Sequence, residues 1–200
     1  MGDNNKEKLL KAGIELLSEK TFSEITMDLV AESSNMSKPM IYYYFKNKEG
    51  YYRSLARYLL KMAREMMKDM FSPDFSLRES LARYVKFRIK FTETKPELAK
   101  AYISMIHDPN IGLMIEDLKS EFDLMRTELF DPVFDRAIET GEIDPGTDRM
   151  LVMMMLNSSL IAFTLKILNR FPSIEFPDPE GMINIIFDGI KGSGVKGERQ

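Results

Sequence analysis

The chain of 200 residues contains no cysteine, no tryptophan and only one histidine, His107. Without cysteine it cannot form a disulfide framework or a zinc–thiolate site, and it has no cysteine nucleophile. A single histidine excludes a multi-histidine metal site and leaves little room for a histidine-based catalytic triad. No glycine-rich phosphate loop or paired-carboxylate motif is visible either. We therefore predict no catalytic residue, no metal and no cofactor, in a protein suited to the reducing cytoplasm.

The N-terminus, MGDNNKEKLLKAG, is polar and mixed in charge, and it shows no signal peptide. The most apolar run, residues 150–168, is almost long enough to span a bilayer. However, Asn157, Ser158 and Ser159 lie at its centre and Lys166 lies inside it. We interpret this run as a buried helix of a soluble protein, with no membrane partner.

Basic residues are concentrated in one stretch of an otherwise acidic chain. The net charge of −3 argues by itself against nucleic-acid binding. Residues 37–68, however, hold eight basic and two acidic residues, a local charge of +6. The basic residues are Lys38, Lys46, Lys48, Arg53, Arg57, Lys61, Arg64 and Lys68. Such a concentrated positive field favours contact with a polyanion.

Apolar residues recur at helical spacing along nearly the whole chain, and no segment alternates convincingly with a period of two. This pattern predicts an all-α fold of about nine helices. Two short helices within residues 26–45 meet at a three-residue corner and have the size of a helix-turn-helix motif. Thr26 is the expected N-cap of the first helix and Ser37 of the second, and Asn35 is expected to take the left-handed conformation at the corner.

The second helix of this motif divides its residues between two faces. One face is apolar and is expected to pack on the preceding helices: Ile41, Tyr44 and Phe45. The other is expected to point outward: Pro39, Tyr42, Tyr43 and Lys46, with Lys38 projecting from the first turn. A tyrosine hydroxyl can donate a hydrogen bond to a phosphate oxygen, and Lys38 lies where recognition helices reach base edges. A plain core helix without DNA contact is the alternative.

The stretch ITMDLVAESSNMSKPMIYYYFKNKEGYYRSL resembles the DNA-binding signature of the TetR family of bacterial transcriptional regulators. The matching positions are Thr26, Val30, Ala31, Ser37, Tyr42, Phe45 and Lys48, and the resemblance extends over about residues 6–60. The chain departs from the usual Ala-Gly-Val at positions 34–36 and from the commoner Gly-Thr at Pro39 and Met40. Because those positions help to read bases in the family, no relative's operator sequence can be transferred to this chain.

Residue chemistry and the resemblance together predict a DNA-binding surface. Thr26 and Lys48 open helices, whose free N–H groups favour a phosphate, and Ser37 and Met40 are included because of the family pattern. The predicted DNA-binding residues are Thr26, Ser37, Lys38, Pro39, Met40, Tyr42, Tyr43, Lys46 and Lys48. The resemblance implies a helix-turn-helix domain at residues 1–48 and a ligand-binding and dimerisation domain at residues 49–200.

The resemblance also implies a homodimer on a palindromic DNA operator, with the last two helices of each subunit forming a four-helix bundle. It implies a repressor that is released when a small, largely apolar ligand enters a pocket among the middle helices. On family placement alone, the expected pocket walls are Phe87, Phe91, Tyr102, Met105, Phe122, Met125 and Phe163. Asn157 and Ser158 are polar positions in an apolar run, and they either face this pocket or form hydrogen bonds within the bundle or across the dimer.

Other features and functions stay open. The basic residues at positions 57–68 are interpreted as a solvated helix face, whereas phosphate contact is retained for Arg53. His107 is better explained as a helix C-cap than as a ligand contact. The 16 methionines fill an ordinary core or line an adaptable pocket. The alternative functions are a DNA-binding protein of the same fold without a small-molecule inducer and, more remotely, an all-helical enzyme or carrier.

Overall fold

A computed structural model describes residues 2–109, 115–169 and 178–188, and every regular element in these ranges is a helix. The N-terminal helices are α1 (Gly2–Glu19), α2 (Met27–Ser34), α3 (Lys38–Phe45) and α4 (Lys48–Met67), which a 3-10 turn extends (Lys68–Met70). They are followed by α5 (Leu77–Thr94), α6 (Pro96–Ile106), α7 (Ile115–Met125), a π-helical turn (Arg126–Phe130), α8 (Asp131–Glu139), α9 (Arg149–Ile167) and α10 (Pro179–Asp188). Since α7, the π-helical turn and α8 run without a break, the described residues form nine helical rods. The predicted all-α fold is confirmed.

The corner between α2 and α3 forms as predicted. The Thr26 hydroxyl accepts a hydrogen bond from the Leu29 N–H at 3.2 Å, so that Thr26 is the N-cap of α2. Asn35 ends α2 in the left-handed conformation, with φ 52° and ψ 43°. Ser37 occupies the cap position of α3 with an extended backbone, but its side chain makes no cap hydrogen bond. The corner therefore fixes the direction in which α3 leaves α2.

The first hydrophobic core joins α1, α2, α3 and α4 and includes residues of α6 and α7. Phe22 stacks on Tyr52 with ring centroids 3.5 Å apart, and the buried Tyr51 hydroxyl donates to the Leu9 carbonyl at 2.8 Å. A Cβ atom at Gly50 would lie 2.2 Å from the Phe45 carbonyl oxygen, so that only glycine allows α4 to begin this close to the end of α3. This core holds the two helices of the corner against the long helix α4.

The second hydrophobic core joins the end of α4 to α5, the π-helical turn, α8, α9 and α10. The loop between α8 and α9 makes a contact with the distant start of α5. The Glu142 carboxylate accepts hydrogen bonds from the backbone N–H groups of Leu77 at 2.9 Å and Arg78 at 2.8 Å. It thereby caps the N-terminus of α5 from a distant part of the chain.

Apolar spacing predicts one helix over residues 111–139 with a bend near Pro132, which has no N–H group to continue the α-helical pattern. The structure places the π-helical turn directly before α8, in whose first turn Pro132 lies. The predicted beginning of this helix, at Ile111, lies outside the described residues.

Helix α9 corrects the prediction of a buried helix. Only Met153, Leu156, Leu160 and Thr164 are buried, whereas four large apolar side chains are more than half exposed: Met150, Leu151, Met154 and Met155. By length and composition alone α9 is the one helix of the described residues that could cross a membrane, and 22% of its most apolar window is buried. The prediction of burial is right for one face of α9 and wrong for the other, because the described residues provide packing partners for only one face.

Candidate nucleic-acid interface and ligand cavity

The outer face of α3 exposes the side chains that were predicted to contact DNA. Tyr42 is 43% exposed and Tyr43 is 81% exposed, and Pro39 and Lys46 are also exposed. On the opposite face Ile41 and Phe45 are buried in the first core. The division of the aromatic stretch into a buried and a presented face is confirmed, since tyrosines and a lysine stand outward on a helix that two apolar residues fix in place.

Two of the predicted DNA-contacting lysines are held by groups of the chain itself. The Lys38 ammonium pairs with the Asp28 carboxylate at 2.8 Å, which joins the first turn of α3 to α2. This interaction raises the pKa of Lys38, because the Asp28 carboxylate accepts a hydrogen bond from the ammonium. The Lys48 ammonium donates to the Ser23 carbonyl at 3.1 Å and lies 4.6 Å from the centroid of the Phe22 ring. Both lysines are thus positioned beside the motif before any DNA is bound.

The remaining predicted DNA-binding residues lie on the same surface or support it. Thr26 is exposed at the start of α2, and Ser37 is exposed at the corner. Met40 is half-buried in the first turns of α3. The predicted residues therefore lie on adjacent helix starts and on one face of α3, which is the arrangement of a surface that follows a phosphate backbone and presents side chains to a groove.

The basic stripe of α4 is exposed except at Arg64, but part of it also contacts α7 and the π-helical turn. Arg53 pairs with the Asp117 carboxylate at 3.2 Å, and Arg57 donates to the Asp117 carbonyl at 3.1 Å. Arg64 is only 8% exposed and pairs with Glu128 at 2.8 Å. The interpretation of a solvated face is wrong for Arg64, since acidic residues far along the chain neutralise it. Fewer basic residues therefore contribute exposed, unneutralised positive charge than the count of eight over residues 37–68 indicates.

A large cavity lies behind the DNA-binding helices, between α4, α5, α6, α7, the π-helical turn and α9. Its volume is about 710 Å³, within the range of small-molecule sites in proteins. Apolar and aromatic side chains form most of its wall: Leu59, Met62, Ala63, Met66, Met67, Phe87, Phe91, Leu98, Phe122, Met125, Phe130, Met150, Met153 and Met154. The three methionines that α4 contributes to this wall and the three that α9 contributes make it adaptable in shape.

One group of polar side chains lies inside this apolar wall. The Tyr84 hydroxyl donates to the Asn157 amide oxygen at 2.7 Å, and the Arg88 guanidinium donates to the Tyr84 hydroxyl at 2.9 Å. The Asn157 amide nitrogen donates to the Met153 carbonyl at 2.8 Å, within α9. Asn157 thus faces the cavity and also forms hydrogen bonds within the bundle, while its contact with a ligand stays a prediction.

The ionisation of this polar group follows from its surroundings. Burial acts to lower the pKa of the Arg88 guanidinium, but the oxygens of Tyr84 and Tyr102 and the hydrogen bond with Tyr84 raise it by more. The pKa of Arg88 therefore lies above its usual value, and the side chain is a cation. Burial raises the pKa of Tyr102, so that its hydroxyl remains a protonated donor.

Charged side chains also line the cavity, where α7, the π-helical turn and α9 meet, and these form ion pairs. Arg149 pairs with Asp135 at 2.6 Å and with Asp131 at 3.4 Å. Arg126 pairs with Asp131 at 2.5 Å and more loosely with Asp123 at 3.9 Å. Each arginine of this cluster therefore has a carboxylate partner within the chain.

Six of the nine predicted ligand-binding residues line the cavity: Phe87, Phe91, Tyr102, Phe122, Met125 and Asn157. The other three lie elsewhere in the described residues. Met105 is buried in the first core, Ser158 is exposed on α9, and Phe163 is half-buried further along α9. His107 is the C-cap residue of α6, as predicted.

The sequence analysis missed Tyr84 and Arg88 as site residues. A signal for them was present in the helical spacing of α5, where Leu81, Tyr84 and Arg88 recur three and four residues apart. This places a charged residue on the apolar face of the helix. Such an arginine must find polar partners inside the fold, which makes it a candidate for a site.

Comparisons with known proteins agree with this geometry. The sequence pattern of the family described as bacterial regulatory proteins, tetR family, matches residues 9–55. The chain is 24% identical over 157 residues to the uncharacterized HTH-type transcriptional regulator YhgD of Bacillus subtilis (strain 168). The aligned region covers 78% of this chain and 81% of YhgD. It is 21% identical over 155 residues to the HTH-type transcriptional regulator RutR of Escherichia coli (strain K12). The aligned region covers 77% of this chain and 71% of RutR.

Among solved structures, the chain is similar to the transcriptional regulator FadR from Bacillus subtilis in complex with stearoyl-CoA. The TM-score is 0.73 at 18% identity, over 92% of this chain and 99% of FadR. This similarity concerns the fold and extends well beyond the helix-turn-helix motif. The chain is therefore similar to the tetR family of bacterial regulatory proteins in the sequence of its helix-turn-helix segment, and it shares its fold with a solved transcriptional regulator over most of its length.

Proposed function

We propose that the protein is a cytoplasmic, dimeric repressor of transcription, which leaves its DNA operator when a largely apolar ligand binds in the cavity. The observation that carries the proposal is the outer face of α3, where Tyr42, Tyr43 and Lys46 are exposed while Ile41 and Phe45 anchor the helix. A helix held in this way can enter the major groove with its position fixed by phosphate contacts.

The dimer is supported by the uncovered apolar face of the last two helices. Leu151 and Met155 on α9 and Ile185 on α10 are each more than half exposed. Large exposed apolar side chains on both helices favour an interface, and a two-fold dimer would cover the same side chains on both subunits. Such a dimer would present two copies of α3 to a palindromic operator, about 34–36 Å apart.

The ligand class is supported by the cavity and by one relative. The wall is mainly apolar, and the cavity volume of about 710 Å³ suits a molecule with a long apolar body. FadR, which shares the fold, is known in complex with stearoyl-CoA. We extend this to a ligand with an apolar acyl chain for the present protein.

Helix α4 supplies the connection between the cavity and DNA. Only two residues separate the start of α4 from the end of α3. The later α4 residues Leu59, Met62 and Met66 line the cavity. A ligand that fits the cavity only when α4 has shifted would shift α3 as well, and it would change the spacing of the two copies of α3. The ligand would thereby select a population that binds the operator weakly. We keep residues 1–48 and 49–200 as the proposed DNA-binding and ligand-binding domains, with α4 joining them.

The proposal is tested by fluorescence polarisation with labelled duplexes tiled across the DNA upstream of the protein's gene. One duplex should bind far more tightly than the others. Tyr42→Phe should weaken this binding about tenfold, because it removes a hydrogen bond to a charged phosphate oxygen in each subunit. Lys46→Ala should reduce the slope of affinity against salt concentration by about 1 per subunit.

The matched control is Lys61→Ala, since Lys61 is an exposed lysine on α4 away from α3. It should leave both affinity and salt slope unchanged. Uniform weak binding to all duplexes, with equal effects of the Lys46 and Lys61 changes, would reject specific operator recognition.

A further inference from the structure

Arg88 is a cation inside the cavity, and the hydrogen bonds that it donates to described residues all go to neutral oxygens. Its Nη1 donates to the Tyr84 hydroxyl at 2.9 Å and to the Asn157 amide oxygen at a longer 3.4 Å. Throughout the described ranges no aspartate or glutamate forms an ion pair with Arg88. Its positive charge is therefore not neutralised by the part of the chain that the structure describes.

The other arginines near the cavity differ from Arg88 in this respect. Arg149 has Asp135 at 2.6 Å, and Arg126 has Asp131 at 2.5 Å. Arg64, which is buried at the back of α4, has Glu128 at 2.8 Å. An arginine removed from bulk water is normally paired, because an uncompensated buried charge is costly. Arg88 is half-buried and has no such partner among the described residues, so that its donors are available to a ligand in the cavity.

The free donors of Arg88 and Tyr102 define the shape of that partner. The Nε and Nη2 groups of Arg88 donate no hydrogen bond to a described residue, and neither does the Tyr102 hydroxyl. The guanidinium carbon lies 5.6 Å from the centroid of the Tyr102 ring, and both side chains line the cavity. A guanidinium fork matches the two oxygens of a carboxylate, and the resulting hydrogen bonds are charge-assisted.

We propose that Arg88 and Tyr102 bind the carboxylate of an apolar carboxylic acid, which occupies the cavity as its anion with the apolar body against the methionine and phenylalanine wall. One guanidinium offers one positive charge, which a monoanion neutralises. An alcohol or an ester offers Arg88 no charge, and a CoA thioester carries its charges far from the acyl carbonyl. This inference rests on the proposed function, and it replaces a general apolar ligand by a free acid.

Isothermal titration calorimetry of the full chain tests the inference with three probes of one chain length: dodecanoate, dodecanol and dodecanoyl-CoA. The protein should bind dodecanoate about tenfold more tightly than dodecanol, because the charged pair outweighs the cost of removing the carboxylate from water. Arg88→Met should abolish this difference, and Arg88→Lys should retain part of it. Tyr102→Phe removes only the hydroxyl and should weaken dodecanoate binding while leaving dodecanol binding unchanged.

Arg126→Met is the matched control, since Arg126 lines the same cavity but already has aspartate partners. It should leave the preference for dodecanoate intact. Equal affinities for acid and alcohol, or a preference for dodecanoyl-CoA that depends on Arg126 and not on Arg88, would overturn the inference. Circular dichroism would show whether Arg88→Met unfolds the chain. In that case the affinities of Tyr102→Phe and Arg88→Lys for dodecanoate and dodecanol still test the inference.

Release of the operator duplex separates this inference from the proposed function. If dodecanol or dodecanoyl-CoA releases the operator as well as dodecanoate does, the repressor mechanism stands and the role of Arg88 is wrong. If none of the three probes binds or releases the operator, the ligand-responsive function itself fails. Binding of dodecanoate through Arg88 without any operator release would support the acid site and reject its coupling to DNA.

Discussion

The helices that carry the DNA-binding surface and the helices that surround the cavity are packed in different ways. In the first core, Tyr51, Tyr52 and Leu55 are completely or almost completely buried within one subunit. In the second half, α4, α5 and α9 surround a cavity of about 710 Å³, and the described residues leave the outer face of α9 uncovered. The first region is thus closely packed, whereas the second region contains a cavity and an exposed apolar helix face.

This difference matches the tasks that we propose for the two regions. A helix that reads DNA must hold its side chains in one arrangement, and close packing around α3 achieves this. A region that responds to a ligand must have two arrangements of similar free energy, which a cavity and an uncovered interface allow. The buried rings at the start of α4 and the methionines in its later turns show both kinds of packing in one helix.

The largest expected effect compares two truncations on α4. Leu55→Ala should lower the free energy of unfolding by roughly 2–5 kcal/mol, because it leaves a void in a closely packed core. Met66→Ala should cost only about 1 kcal/mol, because Met66 is half-buried and already borders the cavity. Urea unfolding at one fixed protein concentration measures both values. Equal losses would mean that the two regions are packed alike.

The uncovered face of α9 gives the next prediction. Replacing Leu151 and Met155 together by glutamate should convert the dimer into monomers, because the change places carboxylates within an apolar interface. Affinity for the operator should then fall by at least about a hundredfold, since two linked half-sites bind much more tightly than one. Sedimentation velocity measures the change of mass, and fluorescence polarisation measures the affinity.

Lys90→Glu is the control for this double change, because it alters the charge by the same amount on an exposed part of α5. It should leave the mass and the operator affinity unchanged. A double variant that stays dimeric would place the dimer interface elsewhere.

The smallest effect concerns the distant cap of α5. Glu142→Ala should lower the free energy of unfolding by about 1–2 kcal/mol, since it leaves the N–H groups of Leu77 and Arg78 without their acceptor. Glu139→Ala, a nearby exposed glutamate on α8, should change it by less than about 0.5 kcal/mol. Thermal unfolding followed by circular dichroism compares the two. If the two variants lose equal stability, the loop does not hold α5 in the way the structure indicates.

Local signals account for much of what could be predicted. The N-cap at Thr26, the left-handed Asn35 and the two faces of α3 depend on residues within one or two helical turns of each other, so that the sequence contains them. The contact of Arg53 with α7 and that of Arg64 with the π-helical turn join positions more than sixty residues apart. A charge count over residues 37–68 could not detect them, because the neutralising carboxylates lie in another part of the chain.

The sequence by itself determined the all-α fold, the helix-turn-helix and the side of α3 that faces outward, because hydrophobic periodicity, caps and corner residues act over short distances. Only the tertiary structure decided which basic residues remain exposed, that α9 is covered on one face, and that Arg88 stands in the cavity without a carboxylate partner from the described residues. These properties depend on which side chains of distant helices meet. They follow from how the helices pack, and packing is a property of the whole chain.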